Sequence, residues 1–128
     1  MVLDNELVFD MDTPVSASFN SKKVIDLGAN GSVYEPMDLQ VQLSTGCTSG
    51  TINSVKVQSA KDAKFSSPVD EVEFHVPTSL KQNVPCVLAQ FKCPITPQNR
   101  YVRLAYAGTS PSGGKVTAFI TRFTPVAF

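Results

Sequence analysis

The only histidine of the chain, His75, is the first residue to consider for chemistry. It follows Glu71 and Glu73 at spacings of four and two, which predicts that all three side chains share one face of an extended strand. A histidine beside a carboxylate or a cysteine could act as a general base or as part of a nucleophilic pair. No nucleophile motif such as Gly-x-Ser-x-Gly accompanies it, and a solvated strand face with neighbouring charges explains the same pattern. We therefore expect a protein that is not an enzyme.

The three cysteines are the next candidates, for metal binding or for disulfides. Cys86 and Cys93 are seven residues apart and Cys47 lies far upstream, whereas structural zinc sites use pairs separated by two to four residues. The cysteine count is odd, and the chain opens with acidic residues where a secretory signal would be basic. The sequence predicts three free thiols, no metal and no cofactor.

Polyanionic and lipid partners find little support in the composition. Gly31, Gly46 and Gly50 are followed by no helical pattern whose amides could hold a phosphate. Eleven basic residues balance 11 acidic ones, so no strong field attracts nucleic acid. No apolar run approaches the roughly 20 residues that a membrane span requires. We expect neither a nucleic-acid partner nor a membrane partner.

Short blocks of alternating apolar and polar residues indicate strands throughout the chain. Nine prolines and the lack of any helical spacing argue against helices. The blocks number about eight and lie at Leu3–Phe9, Val15–Phe19 with Val24–Leu27, Leu39–Leu43, Val55–Val57, Val72–Val76, Val87–Phe91, Arg100–Tyr106 and Lys115–Phe123.

This pattern predicts an all-β fold, a jelly-roll-like sandwich formed by a single domain over residues 1–128. Residues 1–9 would form an N-terminal arm or an edge strand. An immunoglobulin-type sandwich is the main rival, but the chain lacks the tryptophan that packs on the inter-sheet disulfide of antibody domains.

The last two blocks are joined by Ala-Gly-Thr-Ser-Pro-Ser-Gly-Gly, which predicts a closing β-hairpin. Alternation assigns six of their residues to the core: Val102, Leu104, Tyr106, Val116, Ala118 and Ile120. Both faces of the second block carry apolar groups, so we expect its outer face to be covered. The opposite faces would offer a neighbouring subunit Tyr101, Arg103, Phe119 and Phe123. Arg122, at the end of the second block, completes this set.

The N-terminal block adds three residues to this predicted partner interface. Leu3, Leu7 and Phe9 share one face of a segment that begins at the first residue. Terminal segments fray unless they dock onto something. Two outcomes stay open, since the segment could pair into the domain's own sheets or contact another subunit.

Five segments of the chain form a recognisable series: Met1–Phe9, Val24–Gly28, Glu35–Met37, Arg100–Tyr106 and Gly114–Phe119. In this order they resemble the capsid cement (decoration) proteins of short-tailed bacteriophages, of the type described in a Bordetella phage. The chain departs from that family between Cys47 and Asn99, where it is longer and richer in proline.

The resemblance implies a jelly-roll subunit made in the host cytoplasm and bound to the outer surface of the virion capsid. There it would clamp adjacent subunits of the major capsid protein, as a homodimer in preference to a trimer, with no catalysis and no cofactor.

Two other function classes stay open. One is a carbohydrate- or ligand-binding sandwich of a phage tail or receptor-binding module, with Tyr34, Tyr101, Tyr106 or a phenylalanine as the aromatic platform. The other is a small hydrolase that uses His75.

Overall fold

A computed structural model describes residues 8–26, 37–93, 96 and 99–122, with the backbone alone at residues 37, 121 and 122. These residues form strands and no helix, so the prediction of an all-β chain is confirmed. The strands are β1 (Val8–Pro14), β2 (Ser18–Asn20), β3 (Ile25–Asp26), β4 (Met37–Thr45), β5 (Ser49–Ala60), β6 (Val69–His75), β7 (Cys86–Cys93), β8 (Tyr101–Ser112) and β9 (Lys115–Arg122).

Two antiparallel sheets form the sandwich. The first has the order β1-β9-β4-β7 and the second the order β2-β8-β5-β6, with the two-residue β3 also paired to β8. If the short β3 is left aside, each connection leads from one sheet to the other, except the connection from β5 to β6. This is the strand order of a jelly roll, so the predicted jelly-roll-like sandwich is confirmed.

The core lies between the two sheets and follows the alternation of the strands. The six core positions predicted in the last two blocks are at most 5% exposed, and all of them belong to the main apolar cluster. From β4 and β5 the same cluster receives Leu39, Val41, Leu43, Val55 and Val57. Burying an aliphatic or aromatic side chain of this size contributes about 1.5–3 kcal/mol, which makes this cluster the main support of the fold.

The prediction of a closing hairpin is wrong. Strand β8 pairs with β5 in the second sheet, whereas β9 pairs with β1 and β4 in the first. The chain turns between the sheets at Gly113, whose φ of 75° suits glycine. Most of the predicted loop is the end of β8, because the 12-residue β5 offers that strand a long partner. Turn residues indicate where a strand ends but not which strand it pairs with.

Register shifts turn two acidic side chains toward the interior. In β1 the pairs Val8–Phe119 and Asp10–Ala118 leave one extra residue on β1, so both Phe9 and Asp10 face inward. In β6 the pairs Val57–Val72 and Gln58–Asp70 leave Glu71 as the extra residue. Both are β-bulges, which re-aim side chains in this way.

Candidate partner interface

The outer face of the second sheet holds two of the predicted interface residues, Tyr101 and Arg103, both half-buried. Arg103 Nε donates to Oε1 of Gln58 at 2.9 Å, and its guanidinium carbon lies 4.3 Å from the centre of the Phe65 ring. The guanidinium of Arg100 lies 5.2 Å from the centre of the Tyr101 ring. Cations over aromatic faces are stabilising even at exposed sites, so the domain itself orients these side chains.

Ion pairs continue across the same outer face. Lys56 Nζ lies 3.5 Å from Oδ2 of Asp70 and 3.9 Å from Oε2 of Glu73. The hydrogen bond that Gln58 donates to Asp70, with the charge of Lys56, lowers the pKa of Asp70. His75 Nε2 lies 3.2 Å from Oε1 of Glu73. Opposite charges on this face are matched to each other, which leaves little net field to attract a charged partner.

Phe9 and Phe119 do not lie on a free surface, so their assignment to a partner interface is wrong. Phe9 is 0% exposed and belongs to the main apolar cluster. Phe119 is 3% exposed and lies opposite Val8, on an interior strand flanked by β1 and β4. The expectation that the outer face of the last strand is covered is therefore confirmed at Phe119 and at Thr117, which is 5% exposed.

The remaining predicted interface residues fall largely outside the described part of the chain. Leu3, Leu7 and Phe123 belong to undescribed segments. The backbone of Arg122 ends β9 opposite Asp38, and its side chain is not described. For these four residues the partner interface stays a prediction.

The described side chains around His75 do not form a catalytic arrangement. The prediction that Glu71 shares its face is wrong, because the β6 bulge turns Glu71 inward to accept hydrogen bonds from Ser59 Oγ and from the backbone and hydroxyl of Thr96. His75 instead lies at the rim of a shallow cleft of about 300 Å³, whose lining also includes Asn53 and Val76. No group of three histidine, cysteine or acidic side chains suited to a metal ion occurs among the described residues.

All three cysteines are free thiols, as the sequence predicts. Burial raises the pKa of Cys47. Burial, with a further contribution from Cys47, raises the pKa of Cys86. Burial, followed by the charge of Glu71, raises the pKa of Cys93 to about 12. Thiols with raised pKa values stay protonated at neutral pH and are poor nucleophiles.

The described tyrosines are poorly placed to form the exposed aromatic platform that a sugar-binding site requires. Tyr106 is 2% exposed and stacks on Phe19 with ring centres 4.5 Å apart. One face of Tyr101 is close to the guanidinium of Arg100, and Tyr34 lies outside the described residues.

The edge of the first sheet carries an exposed apolar surface that was not predicted from the sequence. Val84 is 51% exposed and Val87 is 47% exposed. They flank Pro85 and Cys86, where the edge strand β7 begins, beside a shallow groove that Gln42 and Leu43 also line. The alternation around Val87 indicated a strand, but the edge position of that strand follows only from the sheet order.

Comparison with protein-family models finds no match, and neither does comparison with curated protein sequences. Within the described part of the chain, no helix is long and apolar enough to cross a membrane.

Proposed function

We propose that this protein is a viral capsid decoration protein, which binds the outer surface of the shell and clamps adjacent coat subunits. One observation carries the proposal. The resembling blocks 100–106 and 114–119 fall on β8 and β9, two interior strands that lie in opposite sheets of a jelly roll. Two of the five resembling segments therefore lie at the centre of the domain, which supports the proposal.

The surface of the described residues is suited to contact with another protein. The clefts are shallow, the charges of the second sheet are matched, and apolar side chains are exposed beside the edge strand β7. Interfaces combine a few apolar anchors with a polar rim. A shell repeats each contact many times, so modest single affinities compound into strong attachment.

The proposal includes self-association as a homodimer, with a trimer as the alternative. A dimer would let one decoration unit contact two coat subunits at once, because a two-fold axis repeats the same binding surface on both sides. Analytical ultracentrifugation of the purified protein distinguishes these states from a monomer.

The experiment adds purified protein to shells of the cognate coat protein that lack it. We expect binding at a fixed ratio to the coat protein and a higher melting temperature of the shell. An unrelated β-sandwich of similar size and net charge serves as the control. No binding at micromolar concentration, or binding without saturation, would refute the proposal.

A further inference from the structure

One end of the sandwich differs from the other in its charges. Four connections and the strand ends beside them meet there, over residues 14–18, 44–53, 76–85 and 107–115, all of them fully described. None of these stretches contains an aspartate or a glutamate, and each contains at least two serines or threonines. We call this surface the acid-free end.

The charges of the acid-free end are basic. Lys81 lies in the β6–β7 connection and Lys115 begins β9, and both are exposed. The acidic residues next to these stretches along the chain, Asp12 and Glu73, belong to strands β1 and β6. Two of the four stretches, 76–85 and 107–115, lie beyond Glu73, which is the last acidic residue of the whole sequence.

The opposite end carries both signs of charge. Its described connections include Lys61, Asp62 and Lys64 between β5 and β6, and Asp26 paired with Arg100 at 2.7 Å. A basic residue at that end therefore has acidic neighbours, whereas Lys81 and Lys115 stand among hydroxyl groups. The two ends would respond differently to an acidic surface.

The connections of the acid-free end are held together by backbone hydrogen bonds. Val15 N donates to Gly114 O at 3.1 Å, and Thr48 N donates to Ser112 O at 2.8 Å. These bonds link the β1–β2 and β4–β5 connections to the turn between β8 and β9. Loops that are already fixed lose less conformational entropy when they bind.

The β6–β7 connection is fixed to its neighbours in the same way. The side-chain amide of the buried Gln82 accepts from Ile52 N at 2.7 Å and donates to Ile52 O at 2.9 Å. Cys47 N donates to Gln82 O at 2.7 Å. Lys81 is therefore held in place by its neighbour Gln82, whose side chain is hydrogen-bonded to β5.

Exposed hydroxyl groups cover much of this end and bond to one another. Ser49 Oγ and Ser112 Oγ are 2.7 Å apart, and Asn53 Nδ2 donates to Thr109 Oγ1 at 2.6 Å. Hydroxyls can donate as well as accept, so they can satisfy carboxylates and backbone groups of a partner. The exposed Val84 adds an apolar anchor beside them.

We propose that the acid-free end is the surface that docks onto an acidic protein surface, and that this partner is the coat subunit. The inference rests on the proposed function and names the part of the molecule that performs it. A protein partner is favoured over a nucleic acid because two lysines neutralise too few phosphates for stable binding.

The test compares two double variants with the same change of charge. Lys81→Glu with Lys115→Glu alters the acid-free end, and Lys61→Glu with Lys64→Glu alters the opposite end. All four lysines are exposed, and thermal melting of each variant alone verifies that it folds. Dissociation constants for coat shells are then measured at several salt concentrations.

We expect the first double variant to bind shells at least about tenfold more weakly, with a smaller dependence on salt, because it loses charge attraction at the contact. The second should bind within about twofold of the parent protein. Equal losses in both variants, or a larger loss in the second, would overturn the inference while leaving the proposed function intact. Failure of the parent protein to bind would instead refute the proposed function.

A DNA-binding measurement separates the other class of partner. We expect no binding of a 30-base-pair duplex by the parent protein at micromolar concentration and physiological salt. Binding that disappears in the Lys81→Glu, Lys115→Glu variant would assign the acid-free end to polyanions and overturn the inference.

Discussion

The two open sides of the sandwich each contain a carboxylate turned inward by a bulge, but the sides are closed differently. At the β1–β2 side, Asp10 is 1% exposed and accepts hydrogen bonds from Tyr106 Oη at 2.6 Å and Lys22 N at 2.8 Å. At the β6–β7 side, Glu71 is only half-buried, and the rings of Phe74 and Phe91 stack with centres 5.4 Å apart.

Asp10 and the phenylalanine stack have different roles: the carboxylate fixes the relative positions of strands, whereas the rings fill space between them. Asp10 joins β1 to the connection after β2 and to the centre of β8, so it fixes three parts of the chain relative to one another. The phenylalanine stack joins the edge strands through apolar contact, which tolerates small shifts. A buried polar group must find its partners, because leaving them unpaired costs about 1–3 kcal/mol per group.

The largest effect should come from Asp10→Ala. It leaves Tyr106 Oη and Lys22 N without their acceptor, and we expect the free energy of unfolding to fall by about 3 kcal/mol. Glu71→Ala is the matched change on the other side, where the carboxylate is only half-buried, and should cost less, about 1 kcal/mol. Urea unfolding measures both. An equal or greater loss for Glu71→Ala would contradict the comparison.

Tyr106 should make the Asp10 side sensitive to alkaline pH. Burial, followed by the charge and hydrogen bond of Asp10, raises the pKa of Tyr106 well above its ordinary value. Above about pH 10 the unfolded state releases this proton while the folded state keeps it, so stability falls by up to about 1.4 kcal/mol per pH unit. The contribution is fully present below pH 10.

Tyr106→Phe tests this dependence. Urea unfolding at several values between pH 9 and pH 11.5 should show a shallower decline for the variant than for the parent protein. Phe91→Leu, which leaves the tyrosine in place, should retain the parent slope. Identical slopes in all three proteins would show that Tyr106 does not titrate differently on folding.

The stacked phenylalanines should give the smallest effect. A double-mutant cycle with Phe74→Leu and Phe91→Leu isolates their mutual interaction, which we expect to be about 0.5–1.5 kcal/mol beyond the loss of buried area. A coupling of zero would show that this side is closed by burial alone. The corresponding cycle with Asp10→Ala and Phe74→Leu should be additive, because the pairs lie on opposite sides of the sandwich.

Alternation was sufficient to predict the core of the last two strands, since a period of two depends only on local sequence. It correctly placed Val102, Leu104 and Tyr106 inside. It could not predict the carboxylate that Tyr106 contacts, because Asp10 lies 96 residues away along the chain and faces inward only through a bulge.

The predicted interface failed at Phe9 and Phe119 for related reasons. Phe9 faces the core by ordinary alternation from Val8, and Phe119 is 3% exposed although alternation places it opposite the core face of β9. Both features depend on which strands pair and in which register. The acid-free end likewise needed the topology, because its four stretches lie far apart in the sequence and meet only where a jelly roll brings its connections together.

The bulges also affect how readily neighbouring molecules can associate through the edges of their sheets. Edge strands expose unpaired backbone groups that can join molecules into aggregates. The edge strands β1, β6 and β7 each contain an extra residue that interrupts their pairing register, and the remaining edge consists of strands of three and two residues. No described edge therefore presents a long, regular template, which disfavours polymerisation through the sheets even where many copies lie close together.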